Sequence, residues 1–295
     1  MLIRPKSCED AKYNYITLVI QIYKYKTRAR RQRAPSSYFI SSTKAIASIS
    51  LWGYNNYEDR KEGVIMDKLI TIYHGSENII AKPEYGKGRL NNDFGQGFYC
   101  TASEALAKEW AVSSMRNGFA NCYMLDTEFL NVLNLNTPQY TILNWIAILI
   151  EHRLFTVKTP VARRAKQYLI DNFTVNVNAY DLIIGYRADD SYFDYAESFI
   201  NNGISVQQLA RAMRLGKLGE QIVVKSSFAF SKLQFQGYSV AERERYYQLR
   251  KDRDDEANRL YWELLEEEND GLYIQDIIRG GIKNDDARIP RNVSE

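Results

Sequence analysis

The sequence predicts an α+β fold. Short runs such as "KLITIYHGS", "FANCYMLD" and "YDLIIGY" alternate or are continuously apolar, have strand length, and are bounded by Gly, Asn or Asp. Longer segments carry helical spacing with recognisable start signals. No internal repeat or low-complexity linker divides residues 66–280, so these elements belong to one domain, assigned to residues 66–282.

Taken in order, "DKLITIYHGS" reads as a first strand ending at a glycine, and "ENIIAKPEYGKGRLNNDFG" as a loop rich in Gly, Asn and Asp. "GFYCT" is a short strand. Ser103 is placed to cap a helix "EALAKEWAVSSMRN" that ends at Gly118. "FANCYMLD" and "VLNLN" are strands. "PQYTILNWIAILIEHRL" and "TPVARRAKQYLIDNF" are helices, each with a proline near its start. "YDLIIGY" is a buried strand leading through a polar turn into the amphipathic helix of "RADDSYFDYAESFINNG". "SVQQLARAMRLG" has a good N-cap and a glycine stop. "GEQIVVKS" is a strand, "SFAFSKL" a helical turn and "QFQGYSV" a last strand. "AERERYYQLRKDRDDEANRLYWELLEEE" is a long charged helix, and residues 283–295 read as a frayed tail.

The 295-residue chain has a net charge of +3, but the charge is uneven. Residues 1–65 hold twelve Lys/Arg against five Asp/Glu, a net +7, which leaves −4 for residues 66–295. Before Met66 stands "RKEGVIM", and Lys61-Glu62-Gly63 back-translates to codons that accommodate a purine-rich ribosome-binding sequence, with Val64 and Ile65 as spacer. Translation is therefore expected to start at Met66, with residues 1–65 a non-native or disordered extension. A true N-terminal basic arm around "KYKTRARRQR", of the kind that binds nucleic acid, is the alternative, and endogenous peptides from before Met66 would rule out the start at Met66. "YITLVIQIY" is too short to span a membrane. Three scattered cysteines and two histidines offer no metal-ligand spacing and fit a reducing cytoplasm.

The chemistry-bearing stretches are "YHGS" at 73–76, "DFGQGFYCT" with "AKEW" behind it, and "GEQIVV" at 219–224. Each has an ordinary structural reading: a strand-end histidine, core aromatics, a polar strand start. In this order they resemble the ADP-ribosyltransferase superfamily, in the branch shared by diphtheria-like toxins and poly-ADP-ribose polymerases. They are closer still to a bacterial family of uncharacterised transferase-like proteins with "GR…DFG-G-FY-T", "DLIIG-RADD" and "-EQIV-K-" patterns. The resemblance covers residues 68–240. It implies a split β-sheet core with helical insertions and a long C-terminal helix.

The resemblance further implies a mono-ADP-ribosyltransferase with NAD as co-substrate and a macromolecular acceptor. It also implies toxin or toxin–antitoxin context, with a small neutralising partner protein. Gly75 would bind the nicotinamide carboxamide through its backbone, with Ser76 beside it. His74 would hold a ribose hydroxyl, while Tyr99 and Trp110 would enclose the nicotinamide ring. Arg89 would meet the pyrophosphate, and Gly95 and Gly97 would let the backbone pass close to the dinucleotide. The late-strand position is Glu220 or Gln221; adjacent strand residues face opposite ways, so only one faces the cleft. Glutamine there can orient a hydroxyl but cannot act as a base. Asp189 and Asp190 could contact the acceptor or orient Arg187, or simply favour a helix N-terminus, and His152 reads as structural. An NAD glycohydrolase and a non-catalytic binding module are the alternative functions.

Overall fold

The computed structural model describes residues 68–292 except 156, 189, 216–218 and 268–269, and of Asp190 and Ser191 the backbone alone. The chain divides into two units, Met1–Asp67 and Lys68–Glu295, and the second is the one described. The expectations for residues 1–65, and that for Asp189, lie outside the described residues.

The unit is a mixed α and β structure with two sheets. One is antiparallel, in the order β1 (Leu69–Ser76), β3 (Gly118–Asp126), β7 (Leu233–Ala241). The other has the order β2 (Phe98–Cys100), β6 (Glu220–Val224), β5 (Leu182–Tyr186), β4 (Val132–Asn134), in which only β4 and β5 run parallel. The sheets meet at a single bridge, where Tyr73 and Thr101 exchange backbone hydrogen bonds of 2.8 and 2.9 Å. At the next position along, Gly75 and Tyr99 make no backbone bond to each other, and the strands part.

The helices hold this junction from one side. Helix α1 (Glu104–Ala111) starts where expected, with Ser103 Oγ accepting from Leu106 N at 3.3 Å. It stops at Ala111 instead of reaching Gly118. Ser113, Ser114 and Asn117 favour local turns over helix, and Met115 N donates to Ser113 Oγ. A Cβ on Gly118 would also lie 2.2 Å from Ala111 O, so β3 begins against the helix end.

Helix α2 (Ile142–His152) starts at a Thr141–Asn144 capping box, three residues beyond Pro138. Every residue from Ile142 to Ile150 is buried, as expected of a helix that is apolar all round. Helices α3 (Pro160–Phe173), α4 (Asp190–Ile200) and α5 (Val206–Ala212) surround it, and Ile183 and Val223 of the second sheet join the same core. After the short α6 (Ser227–Ser231) and β7, the charged helix α7 (Arg243–Glu266) buries Tyr246, Ala257, Tyr261 and Leu264. Its Arg253 grips the buried Glu109 of α1 through two hydrogen bonds of 3.0 and 2.9 Å.

The expected fraying after Ile282 is not what residues 283–292 do. Beyond helix α8 (Ile274–Arg279), Ile289 is buried in the core, Asn292 N donates to Tyr140 O and Asn292 Nδ2 to Leu135 O. One apolar plug and one amide clamp have no periodicity, so the sequence pattern did not reveal them. No helix among the described residues is long and apolar enough to cross a membrane.

Candidate functional site

The site is built outward from the point where the two sheets part. Backbone groups of alternate strand residues point to opposite edges. Tyr73 directs its N–H and C=O toward Thr101, so those of Gly75 lie on the same edge, away from β3. On the facing strand the Tyr99 carbonyl accepts from His74 Nδ1 at 2.7 Å. A carbonyl can only accept, so Nδ1 carries the proton and Nε2 presents a lone pair, with no partner among the described residues. The ring stacks on Phe98 at 4.3 Å. Burial pushes the His74 pKa down, so the ring is neutral near pH 7.

That depression makes a stability prediction. His152 is shifted the same way by burial, and these are the chain's only histidines. Below about pH 6.5 the unfolded chain binds protons that the folded chain refuses, so stability falls as pH drops. Replacing His74 by Gln should flatten the unfolding free energy between pH 7 and 5 by up to about 1.4 kcal/mol per pH unit. Identical pH slopes in both proteins would show that His74 titrates normally.

The glycines have protein neighbours. A Cβ on Gly75 would lie 2.1 Å from Ala107 O of α1, and one on Gly97 2.6 Å from Val223 Cγ1. Gly95 has φ +71° and stacks under the His152 ring. Packing of the chain on itself already requires Gly75, Gly95 and Gly97 at these positions. Ser76 Oγ accepts from Asn78 N and closes the turn after β1. Arg89 is exposed in the loop, without an ion pair among the described residues.

Behind the junction lies the acidic residue that opens the DFG stretch. Asp93 is 4% exposed. Its Oδ2 accepts from Ala188 N at 2.9 Å and from Gln221 Nε2 at 3.1 Å, while Oδ1 meets Arg153 Nη1 at 3.2 Å. Burial raises its pKa against the opposing pull of the Ala188 N–H, Arg153, Arg187 and Gln221. One carboxylate thus ties together the DFG, RADD and EQIV stretches. Asp93 was legible as part of a motif; Arg153, just past an apolar helix, gave no signal.

The two late-strand candidates separate as strand alternation requires. Gln221 is 5% exposed and shares a face with Val223 and, across the register, with Tyr99. Glu220 is exposed on the opposite face and accepts from Asn136 Nδ2 at 2.5 Å. The Gln221 Nε2 donor goes to Asp93 Oδ2, which leaves Oε1 free, and among the described residues that buried oxygen has no partner. Trp110 stands on α1 with the Arg187 guanidinium 4.4 Å from its ring centre. Its Nε1 is likewise buried and unpartnered. Tyr99 donates its hydroxyl to Gly95 O at 2.6 Å and receives Phe94 N, so its ring is held by its own loop.

The structure bonds His74 to Tyr99 directly, with Gly75 next to His74 in the strand, and Asp93 bonds Gln221 and Ala188, whose neighbour Arg187 lies over Trp110. It leaves Glu220 and Arg89 outside. The side chain of Asp190 is not among those described, and among the described residues no group of three or more His, Cys, Asp or Glu could hold a metal.

Neither a curated protein nor a solved structure matches the chain. A protein family described as "Protein of unknown function (DUF3990)" matches residues 70–235, more than half of the chain and the stretch that contains every residue of this cluster. The chain belongs to that family.

Proposed function

We propose that this chain is an ADP-ribosyltransferase-like enzyme: a split-sheet core that binds NAD, breaks its nicotinamide–ribose bond and passes ADP-ribose to a macromolecular acceptor. The observation that carries the reading is the buried Oε1 of Gln221 on the Tyr99 face of the sheet, beside the strand edge of Gly75; among the described residues neither that oxygen nor the Gly75 backbone groups on this edge have a partner. A free carbonyl oxygen can accept from a ribose hydroxyl. Gly75 offers the donor and acceptor that a carboxamide needs, and neutral His74 offers an Nε2 lone pair to a second hydroxyl.

Breaking the glycosidic bond develops positive charge on the ribose, which an oriented dipole backed by the Asp93 carboxylate stabilises. Gln221 cannot take a proton from an acceptor, so a single transfer to a good nucleophile fits better than chain elongation. The acceptor and a small neutralising partner protein belong to this proposal, as does a role as a toxin. A non-catalytic NAD-binding module is favoured by one observation: the only carboxylate of the EQIV stretch, Glu220, points away.

The test is to incubate the full chain with adenylate-labelled NAD and a bacterial lysate, following nicotinamide release and label on protein, nucleic acid and small molecules. Label on one macromolecular class is expected. Nicotinamide release without it would mean water is the acceptor, an NAD glycohydrolase. NAD binding without turnover would support the binding module, and absence of binding would overturn the reading. His74→Ala and Trp110→Ala should each reduce turnover by about 100-fold or more while the protein stays folded. Tyr99→Ala should abolish turnover and also destabilise, because the Tyr99 hydroxyl anchors the Phe94–Gly95 turn.

A further inference from the structure

The Asp93–Gly95 stretch crosses the β2–β6 strand pair, with Asp93 bonded to Gln221 and the Phe94 carbonyl to Lys225. It sets off a groove of about 280 Å³ at the Lys225 end, lined by Tyr85, Gly97, Asn178, Tyr180, Lys225 and Phe230. The Lys225 stem runs along Gly97, where a Cβ would lie 3.3 Å from its Cδ. Its Nζ donates to Phe94 O at 2.7 Å and has no ion pair among the described residues. An ammonium has three donors, so two remain. Burial pushes this lysine's pKa down, and no carboxylate offsets that.

Around the cation stand aromatic faces. Tyr85 and Phe230 meet edge to face with centroids 5.6 Å apart, and Tyr180 completes the wall. Asn178 adds a side-chain amide without a partner among the described residues. A half-buried cation lacking a counter-charge calls for an anion. Rings on the walls call for a planar group, which stacks best where both of its faces are covered. At about 280 Å³ the groove falls just below the roughly 300 Å³ at which drug-sized ligand pockets begin, which suits a ligand of mononucleotide size.

We infer that this groove is a binding site for a small planar ring carrying an anionic group, of the size of a nucleoside monophosphate, with Lys225 taking the anion and Tyr85 and Phe230 the ring. The site is separate from the one around His74 and Gln221, and it stands whether or not the NAD reading does.

The test uses the full chain and AMP as probe, with adenosine and inorganic phosphate as separate arms, each titrated by calorimetry. AMP should bind. Adenosine should bind about tenfold or more weakly, having lost a charge-assisted bond, and phosphate should bind weakly for want of the rings. Lys225→Gln should weaken AMP by about tenfold or more and leave adenosine unchanged, whereas His74→Ala should leave AMP unchanged. Should Lys225→Gln fail to fold, Phe230→Leu is read in its place, with a comparable loss for AMP and adenosine and none for phosphate. Absence of AMP binding, or AMP binding lost in His74→Ala and kept in Lys225→Gln, overturns the inference. So does phosphate binding as tightly as AMP.

Discussion

Gly75→Ala is expected to lower the unfolding free energy by about 3 kcal/mol, at the upper end of what overpacking costs. The added methyl would meet Ala107 O at 2.1 Å, Ala107 C at 3.1 Å and Ala111 N at 3.0 Å. All three are backbone atoms of α1, so no rotamer change relieves the clash; the helix must lift from β1. Lifting it also strains the Glu109–Arg253 pair that fastens α1 to α7. For a domain of this size the loss corresponds to a melting temperature lower by roughly 10 °C. Chemical denaturation reads it directly, and a change within about 0.5 kcal/mol would mean that α1 is not seated on this strand. The same variant divides the two roles of the residue. If Gly75 serves packing alone, NAD affinity per folded molecule is unchanged; if its backbone also contacts ligand, affinity falls with the displaced strand edge.

The packing of Gly75 against α1 shows where a sequence stops being readable. The strands β1, β3, β5 and β6 were legible because each alternates or is continuously apolar between turn residues, and the caps Ser103 and Ser205 were legible because capping is local. Strand alternation alone required Glu220 and Gln221 to face opposite ways, but not which faced inward. What decides it is Asp93, 128 residues away in sequence from Gln221 and 95 from Ala188. A buried carboxylate chooses its donors by tertiary position, and no period in the chain encodes that choice. Gly75, Gly95 and Gly97 each stand at a close approach that a glycine in a strand pattern signals, but which of α1, α2 and β6 does the approaching is set by tertiary position. The docked segment 283–292 was missed because it holds on by Ile289 and Asn292, two residues without a repeating pattern.

Gln221→Glu would put a second carboxylate beside Asp93, and the structure argues that the fold would resist it. Gln221 Nε2 lies 3.1 Å from Asp93 Oδ2 as a donor. A carboxylate there has no donor to offer, and two negative charges at that distance cannot both remain ionised in a buried site. At pH 7 the variant should lose about 4 kcal/mol of stability, the cost of keeping one carboxyl protonated about 2.7 units above its ordinary pKa. The sign of the pH dependence follows. The folded variant binds one proton more than the unfolded chain, so its deficit against the wild type shrinks as pH falls from 7 toward the ordinary carboxyl pKa. Once protonated, the glutamic acid donates to Asp93 as the amide does. A second change checks the cause: adding Asp93→Asn to Gln221→Glu removes one of the two charges, so the pH dependence of the deficit should vanish, while an amide nitrogen turned to the new carboxylate no longer accepts from Ala188 N and part of the loss stays. A deficit independent of pH in the single variant, or equally pH-dependent in the double variant, would show that repulsion between the two carboxylates is not the cause. If the deficit behaves as expected, glutamine at 221 follows from Asp93: the buried carboxylate that ties the three motif segments together excludes a second one beside it. Any chemistry at the Tyr99 face must then proceed with an oriented amide oxygen in place of an ionised side chain.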